Sequence, residues 1–531
     1  MLERDMLAPH GLAKWAAIDP DQIALEHVDG QALTYAELDH DGRTWASALQ
    51  RIGVGVGTHV ATLLPNIFDA HRTMLGLAWL RAVEIPLNTG YTGRMLEYTL
   101  EYSDTEVLVT TTTFLDQVMQ ISPRLPALRA IVVVDDDQGA SKALASGTER
   151  VQLLARDDFL AGCSPAVDLP GPEVWDTACL LFTSGTTGPS KAVINPWGLV
   201  VQMCSWFPAD TLAPRDGMYS AMPLFHNSGR SQFNYVVTHG ARFVIRDKFS
   251  ATNVWDDVRK TNCTTLCLVG PLTSLLYAAP PRDDDATTPV RNVLLGPMIP
   301  DMEGFEKRFD VRVCTCYGQT EIGSPVATPW EHGPWANGGR TRENWPFHEV
   351  RLVDEHDQPV PTGQTGEMIV RCPEPWSLNL GYYKMPEKTV EAWRNGWFHT
   401  GDVFRQDEDG WYYFVDRLND AIRRRGENIS SFEVENYVVG YDEVADCTAI
   451  GIRTEHGDEE VMACVIVQDR ETFEPAALIK HLEADMPRFM IPRYVQVLDD
   501  FPRNETTGRV RKNELRDKGV TAATWHREAQ G

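Results

Sequence analysis

One stretch of the chain places glycines, hydroxyl side chains and a lysine directly behind an apolar run: residues 180–193 read LLFTSGTTGPSKAV. Glycines let backbone N–H groups turn towards an oxyanion, hydroxyls add donors, and a lysine supplies positive charge. A flexible polar loop is the alternative, but nine such residues behind an apolar strand argue against it. The pattern predicts a phosphate cradle formed by Thr183, Ser184, Gly185, Thr186, Thr187, Gly188 and Lys191. It is not a Walker A loop, because Pro-Ser-Lys-Ala follows its second glycine.

The composition limits what such a cradle could serve. The 531 residues carry 49 Lys and Arg against 75 Asp and Glu, a net charge of −26, which disfavours binding to nucleic acid or to an acidic membrane face. The first residues show neither a signal peptide nor a membrane segment, and the ten cysteines are scattered without metal-site spacing. We therefore expect a cytoplasmic protein with reduced thiols that acts on a small molecule.

The elements that must position the cradle follow from the hydrophobic patterning. Up to residue 300, short β-rich runs such as HVATLLP, AVEIPLN, RAIVVVDD and TTLCLVG alternate with amphipathic stretches, which predicts parallel sheets layered with helices. From 350 to 415, strands joined by turns predict a small β-barrel-like subdomain, and a compact α+β unit follows. The predicted fold is a large α/β N-terminal domain (1–418) and a small, mobile α+β C-terminal lid domain (419–531).

Five further motifs follow the cradle in order: PLFH (223–226), YGQTE (317–321), GWFHTGD (396–402), DRLNDAIRRRGENIS (416–430) and TTGRVRK (506–512). Together with TSGTTGPSK, they resemble the blocks of the adenylate-forming superfamily of acyl-CoA synthetases, peptide-synthetase adenylation domains and luciferases. The resemblance covers nearly the whole chain. GYYKMPEKTVEAW and RRRGENISSFEVE most resemble carnitine/crotonobetaine-CoA ligase-like enzymes, a closeness that does not settle the substrate.

The resemblance implies that ATP, Mg²⁺ and coenzyme A are the cofactors and cosubstrates, with the cradle holding the β- and γ-phosphates. A carboxylate attacking the α-phosphorus needs donors, a cation and a metal around one phosphate chain. Thr320 would touch the α-phosphate, Glu321 would hold Mg²⁺, and Asp402 would accept the ribose hydroxyls. The other residues implied for the nucleotide are Gly296, Tyr317 (which would stack on adenine), Gly318 and Arg417 (which would reach the ribose or phosphate).

Family members rotate the C-terminal domain about one hinge residue, and Asn419 occupies that place. A concentrated basic patch is formed by Arg423, Arg424 and Arg425. Three arginines could form a solvated edge, but their place on the family's mobile face favours contact with pyrophosphate or the CoA phosphates. Gly426 is the corresponding entry point for the pantetheine-side loop. Arg423 and Gly426 are thus predicted cofactor-binding residues.

His226 resembles the gate between an acyl pocket and a thiol tunnel. The remaining pocket residues are expected from their distance to the motifs alone: Trp206 (which could equally be a core residue), Asn227, Ser228, Gly229, Gln232, Gly270 and Pro297. The polarity of 227–232, which includes Arg230, favours a small or polar acid over a long alkyl chain.

The terminal motif departs from the family at one important place. The family presents a lysine that reaches the acid's carboxylate and the α-phosphate, whereas this chain has Arg509. An arginine is not a conservative replacement for a compact point charge, so adenylation is expected to suffer or to be adapted. Lys512 could stand in, but a solvent-facing lysine is the favoured interpretation. Smaller departures are Ala192 and the run Gly296-Pro297-Met298.

Three hypotheses follow. The first is an ATP-dependent acid–CoA ligase, an AMP-forming enzyme in which Arg509 acts catalytically with Lys191, His226, Thr320 and Glu321. The second is an adenylating enzyme that uses a non-thiol acceptor or a small anion such as nitrite, as ATP-dependent diazotases of the superfamily do. The third is a catalytically silent sensor, against which the presence of Lys191, Glu321 and Asp402 argues. A homodimer is compatible with any of them, and the acid is not identified by the sequence.

Overall fold

The structure is a computed structural model. It describes residues 2–135, 150–183, 190–220, 222–248, 250–296, 298–299, 301–331, 333–334, 336–341, 348–417, 420, 422–424, 427–453, 459–486, 488, 490–503 and 510–527. Two compact units form. The first comprises described residues within Met1–Thr183, Lys191–Val350 and Val370–Phe398, and the second comprises those within Ser184–Ser190, Arg351–Ile369 and His399–Gly531.

The first unit is built from short strands separated by helices. Its strands are β1 Ile23–His27, β2 Ala32–Thr34, β3 His59–Leu63, β4 Val83–Pro86, β5 Val107–Thr110, β6 Ala130–Val133, β7 Gln152–Ala155, β8 Thr177–Thr183, β9 Lys191–Pro196, β10 Gly217–Ser220, β11 Arg242–Ile245, β12 Thr265–Val269, β13 Asn292–Gly296, β14 Arg312–Gln319, β15 Gly323–Ala327 and β16 Asn337–Thr341.

Its helices are α1 Ala8–Ile18, α2 Tyr35–Arg51, α3 Phe68–Trp79, α4 Gly93–Tyr102, α5 Thr112–Ile121, α6 Arg156–Leu160, α7 Trp197–Met203, α8 Asn227–Thr238, α9 Val254–Lys260, α10 Gly270–Ala278, α11 Met302–Phe309 and α12 Pro386–Ala392, with short 3₁₀ turns at Arg4–Met6, Ser122–Arg124 and Arg394–Gly396. Local chemistry fixes some boundaries: Thr34 and Glu37 form a capping box that starts α2.

Two sheets organise this unit. A seven-stranded sheet runs β7-β6-β5-β3-β4-β8-β9 and is parallel except for the β8–β9 pair. The other sheet runs β16-β15-β14-β13-β12-β10-β11-β1-β2, with a parallel middle from β14 to β1. Parallel strands need crossover helices, which explains the alternating pattern of the sequence. The prediction of parallel sheets is confirmed.

Helix α8 lies between these sheets. Arg230 pairs with Glu84 of β4 on one side, and Gln232 donates a hydrogen bond to Cys267 Sγ of β12 on the other. Apolar residues from both sheets and from α1 to α3 share one core cluster that includes Trp45, Met218 and Phe233. The segment behind the PLFH motif is therefore an internal element of the fold.

The second unit and the segments leading into it carry β17 Glu349–Val353, β18 Thr365–Arg371, β19 Phe398–Gln406, β20 Tyr412–Arg417, β21 Ile422–Arg424, β22 Glu427–Ile429, β23 Val444–Arg453, β24 Glu459–Val467, β25 Tyr494–Val497, β26 Trp525–His526, and the helices α13 Ser431–Val439, α14 Pro475–Asp485 and α15 Lys512–Lys518.

Strands β17 to β20 lie side by side in chain order, and a four-stranded sheet β23-β24-β25-β26 forms the small C-terminal domain with α13 to α15. Helices α13 and α14 share an apolar cluster with this sheet. The expected small α+β C-terminal domain is confirmed. Among the described residues, no helix is long and apolar enough to cross a membrane.

Candidate active site

Strand pairing brings the two ends of the predicted phosphate cradle together. Thr183, the last residue of β8, is in register with Lys191, the first residue of β9, and its hydroxyl donates to the Lys191 carbonyl oxygen over 3.4 Å. A glycine-rich connection between antiparallel neighbours is a natural place for a tight, anion-binding turn. Residues 184–189, which include Ser184, Gly185, Thr186, Thr187 and Gly188, lie outside the described residues.

The YGQTE motif spans the end of β14 and the turn into β15. Tyr317 pairs with Val326 across this hairpin, and an irregularity in register follows before Gln319. A Cβ atom at Gly318 would lie 2.5 Å from the Gly323 carbonyl oxygen, so a glycine is needed for the hairpin to close. The turn leaves Thr320 and Glu321 half-buried, where solvent and a ligand can reach them.

Tyr382 connects the lysine of the cradle to the carboxylate of this turn. Its hydroxyl donates to Glu321 Oε1 over 3.2 Å, and Lys191 Nζ lies 4.7 Å from the centroid of its ring. Burial, together with the nearby carboxylate, raises the pKa of Tyr382 above its ordinary value, so the phenol is a donor at neutral pH. The structure therefore brings Lys191 and Glu321 to one place, as the sequence predicts.

Asn379 supports the same turn. Its backbone N–H and its side-chain Nδ2 both donate to the Glu321 carbonyl oxygen, each over 2.9 Å. Sequence reasoning missed Tyr382 and Asn379. The only available signal was GYYKMPEKT, which carried a family resemblance without any role for its tyrosines.

The donors present fit a magnesium nucleotide. Mg²⁺ prefers oxygen ligands and takes several of them from phosphates and water, so one or two protein carboxylates are enough. The described residues contain no group of three or more acidic, histidine or cysteine side chains that could hold a metal by themselves. Glu321, with a lysine close by, matches a metal that enters together with phosphates.

The second unit carries an ion pair between a carboxylate and a guanidinium. Asp402 of β19 and Arg417 of β20 are in register, and Arg417 Nε lies 3.6 Å from Asp402 Oδ1. Gly401, at φ 70°, donates its N–H to Glu367 Oε1 and fixes the strand just before Asp402. Asp402 is buried, so its carboxylate is available only to partners that reach into the strand pair.

The basic patch predicted around residue 424 is partly structural. Arg424 is buried, and its Nη2 lies 2.6 Å from Glu460 Oε2 of β24, an ion pair inside the C-terminal domain. Arg424 therefore cannot serve as a free phosphate ligand in this arrangement. The Arg423 backbone pairs with Asn428 in the β21–β22 hairpin, while its side chain lies outside the description. Arg425, Gly426 and the predicted hinge residue Asn419 are also outside it.

The expectation that Lys512 faces solvent is wrong. Lys512 begins α15, its side chain is only 16% exposed, and its Nζ lies 2.7 Å from Glu435 Oε1 and also donates to the Ser431 hydroxyl. Burial raises the pKa of Asp416, and the nearby charge of Lys512 offsets part of this rise. Lys512 is therefore held within the second unit and is not free to replace a catalytic lysine. Arg509 lies outside the described residues.

Several residues predicted for an acyl pocket surround the start of α8. His226 is the N-cap residue of α8 and is partly exposed, and the protein atoms around its imidazole lower the pKa of His226 below its ordinary value. The imidazole is thus neutral at pH 7. Asn227, Gly229 and Gln232 are buried, and Ser228 is half-buried.

The polar groups of this segment mostly bond to the protein itself. Asn227 donates to Asn195 Oδ1 over 3.5 Å, and Gln232 accepts from the Ser220 hydroxyl over 2.6 Å. The polarity of 227–232 therefore does not by itself predict a polar acid. Trp206 belongs to the core cluster, and Gly296 ends β13. Pro297 and the side-chain environment of Gly270 lie outside the description.

Comparison with known proteins decides the family. A model described as AMP-binding enzyme matches residues 12–383, and one described as AMP-binding enzyme C-terminal domain matches residues 433–507. The chain belongs to the AMP-binding enzyme family. This AMP-binding enzyme is an AMP-forming ligase, in agreement with the prediction from its motifs.

Relatives support this assignment along the whole chain. A protein from Salmonella typhimurium strain LT2 named crotonobetaine/carnitine–CoA ligase is 29% identical over 510 residues, which cover 94% of this chain and 96% of that protein. The structure of ATP-bound MatB from Rhodopseudomonas palustris is 25% identical with a TM-score of 0.81, covering 96% of this AMP-binding enzyme and 99% of MatB.

A further similar structure is that of the anthranilate CoA ligase AuaEII in complex with anthranoyl-AMP. It has a TM-score of 0.83 at 20% identity and covers 97% of this AMP-binding enzyme and 98% of that chain. At this level of identity the likeness shows the fold alone. The agreement over both chains confirms the large α/β domain followed by a small C-terminal domain.

Proposed function

We propose that this AMP-binding enzyme is an acid–CoA ligase. A carboxylic acid attacks the α-phosphorus of ATP to give an acyl-adenylate and pyrophosphate, and the thiol of coenzyme A then displaces AMP to give an acyl-CoA. The observation that carries the proposal is the joint placement of Lys191 and Glu321 around Tyr382. A lysine and a metal-binding carboxylate side by side are what a triphosphate leaving group requires.

Each nucleotide contact has a candidate residue in this proposal. Lys191 binds the β- and γ-phosphates, Thr320 the α-phosphate, and Glu321 holds Mg²⁺, which neutralises phosphate charge when bound. Tyr317 stacks on adenine with Gly296 and Gly318 beside it, and Asp402 with Arg417 holds the ribose. Cradle residues 183–188, Arg423 and Gly426 complete the phosphate and CoA contacts, and Asn419 is the hinge.

The acyl side of the site is proposed from α8 and its neighbours. His226, neutral and exposed at the N-terminus of α8, separates the acid from the thiol. A neutral imidazole can lie beside a carboxylate or a thioester without forming an ion pair. The remaining proposed lining residues are Trp206, Asn227, Ser228, Gly229, Gln232, Gly270 and Pro297.

A second candidate is an adenylating enzyme with a different acceptor or acid. The observation that favours it is the ion pair of Lys512 with Glu435, which leaves arginines, Arg509 among them, as the other cations of the terminal motif. Arginine spreads its charge over a planar fork and bridges two oxyanions differently from lysine. A non-thiol acceptor, or a small anion such as nitrite, is the alternative chemistry.

The deciding experiment measures AMP and pyrophosphate release over a panel of acids, with and without coenzyme A. AMP release that requires both an acid and coenzyme A supports the ligase. Release with an amine or nitrite in place of coenzyme A supports the second candidate, and nucleotide binding without turnover supports a sensor. Lys191→Ala should lower pyrophosphate release by about 10²-fold or more, as loss of an oxyanion donor does. Lys384→Ala, which removes a lysine paired with Asp104, is the matched control.

A further inference from the structure

Tyr382 contacts the two groups on which the proposed chemistry depends. Its hydroxyl donates to Glu321 Oε1 over 3.2 Å, and its ring faces Lys191 Nζ at 4.7 Å from the centroid. These partners lie 61 and 191 positions before it in the chain. One side chain thus touches both the proposed metal carboxylate and the proposed phosphate cation.

The backbone holds Tyr382 firmly in this place. Residues 379–383 run beside β9, directly behind Lys191: Ile194 N–H donates to the Gly381 carbonyl oxygen over 3.0 Å, and Tyr383 N–H donates to the Ala192 carbonyl oxygen over 2.8 Å. Tyr382 N–H donates to the Thr389 hydroxyl over 2.9 Å. Because both neighbours of Tyr382 are bonded to β9, its side chain has little freedom to leave the site.

Gly381 and Asn379 complete this support. Gly381 adopts a φ of 107°, and a Cβ there would lie 2.6 Å from the Thr389 side chain, so a glycine is required before Tyr382. Asn379 donates twice to the Glu321 carbonyl oxygen and accepts from Gly381 N–H. The strap formed by 379–383 therefore fixes Glu321 and Tyr382 relative to each other.

The two contacts act in different ways. A hydrogen bond to a carboxylate orients the group, and an oriented carboxylate is a better ligand for a hard cation. A ring beneath an ammonium attracts it without supplying a negative charge that would neutralise it. The ring contact therefore positions Lys191 without neutralising its charge.

We propose that Tyr382 is a positioning residue that sets the geometry of the metal carboxylate and the phosphate lysine together. Its hydroxyl orients Glu321 for Mg²⁺, and its ring holds Lys191 in place for the triphosphate. The inference deepens the proposed function and rests on it.

Two variants separate the contacts. Tyr382→Phe removes the hydroxyl and keeps the ring, so it should lower the affinity of the ATP complex for Mn²⁺, a paramagnetic substitute for Mg²⁺, by about tenfold. Its affinity for ATP in the presence of EDTA should not change. Tyr382→Leu removes both contacts and should also weaken metal-free ATP binding, by about threefold. Electron paramagnetic resonance measures the first quantity and calorimetry the second.

A matched control and a double-mutant cycle complete the design. Tyr383→Phe removes the hydroxyl that donates to Asp104 and should leave both affinities unchanged. In a Glu321→Gln background, Tyr382→Phe should change the Mn²⁺ affinity by only about twofold or less, because the carboxylate that the Tyr382 hydroxyl orients is no longer present.

The possible outcomes are distinct. Unchanged Mn²⁺ affinity in Tyr382→Phe, or an equal loss of metal-dependent and metal-free binding together with a lower melting temperature, overturns the positioning role while the wild-type enzyme still binds ATP. If the wild-type chain binds no ATP even with saturating metal, the proposed function itself fails. A full Tyr382→Phe effect in the Glu321→Gln background would also contradict a role through Glu321.

Discussion

Arg230 Nη1 lies 2.8 Å from Glu84 Oε2, and the two side chains are only 1% and 3% exposed. The pair joins α8 to β4, and Thr62 donates a further hydrogen bond to Glu84. Burial opposes the charged form of Arg230, but the Glu84 carboxylate outweighs it and raises the pKa of Arg230. A charged pair therefore lies in the core between the two sheets, beside the proposed acyl site.

Removing one partner of this pair should destabilise the first unit strongly. Arg230→Met leaves Glu84 buried without its cation, and breaking a buried pair in this way costs about 3–5 kcal/mol. The double variant Arg230→Met/Glu84→Leu should recover much of that loss, because no unpaired charge remains. Urea unfolding measures both, and Arg124→Met, at the exposed Arg124–Glu97 pair, should cost much less, because solvent screens an exposed ion pair. Similar losses for Arg230→Met and Arg124→Met would contradict a structural role for the buried pair.

The ion pair of Lys512 with Glu435 predicts that the stability of the second unit depends on pH. Burial raises the pKa values of Asp416 and Glu435, and Lys512 lowers them in part. In Lys512→Met these carboxyls lose their cation, so their folded-state pKa values rise further and the folded state loses stability as pH increases above their ordinary values of 3.8 and 4.5. Below those values both groups are protonated in either state.

The loss caused by Lys512→Met should therefore be small near pH 4 and reach about 3 kcal/mol near neutrality. Amide hydrogen exchange along α13, measured across this pH range, reports it. Lys518→Met, at the exposed end of α15, the helix that Lys512 begins, is the control. A pH-independent difference between wild type and Lys512→Met would show that the ion pair is not its cause.

A further prediction concerns the catalytic role of Arg509. Because Lys512 forms an ion pair with Glu435, it is not free to take that role. Arg509→Ala should lower AMP formation by about 10²-fold or more, the loss typical of one oxyanion-stabilising donor. Arg509→Lys should retain or raise AMP formation with the true acid, since lysine is the family's usual residue. Pyrophosphate release under saturating ATP is the measurement. If both variants match the wild type, Arg509 has no part in the mechanism.

The sequence predicted the elements better than the contacts between them. TTLCLVG forms the buried strand β12, because a run of apolar and β-branched side chains favours a strand that is covered on both faces. GEMIVRC lies in β18, whose middle residues are buried. The glycine-rich segment and YGQTE could also be recognised, since their chemistry is local to a few adjacent residues. Strands and turns of this kind can be predicted from residues that are adjacent in the sequence.

Contacts between distant residues were not visible in the sequence. The role of Tyr382 depends on residues 379–383 pairing with β9, and no local pattern specifies that partner. The polar residues of α8 predicted a polar pocket, yet Gln232 bonds to Ser220 and Cys267, and Arg230 to Glu84. Lys512 was predicted to face solvent because its partner, Glu435, is distant in the sequence. Whether a polar side chain meets a ligand or a buried partner is decided by tertiary packing.

The Asp402–Arg417 pair gives the last prediction, a test of ribose recognition. A carboxylate can accept hydrogen bonds from both ribose hydroxyls. Arg417, 3.6 Å from Asp402, keeps that carboxylate oriented along the β19–β20 pair.

Wild-type enzyme should bind 2′-deoxy-ATP about tenfold more weakly than ATP, as expected for losing one hydrogen bond to a charged group. In Asp402→Ala, ATP and 2′-deoxy-ATP should bind with the same affinity, which is lower than that of either nucleotide for the wild type, so that the discrimination disappears. Asp407→Ala, which removes a carboxylate from the turn between the same strands, should keep the discrimination. Equal discrimination in wild type and Asp402→Ala, measured by calorimetry, would assign the ribose to other residues.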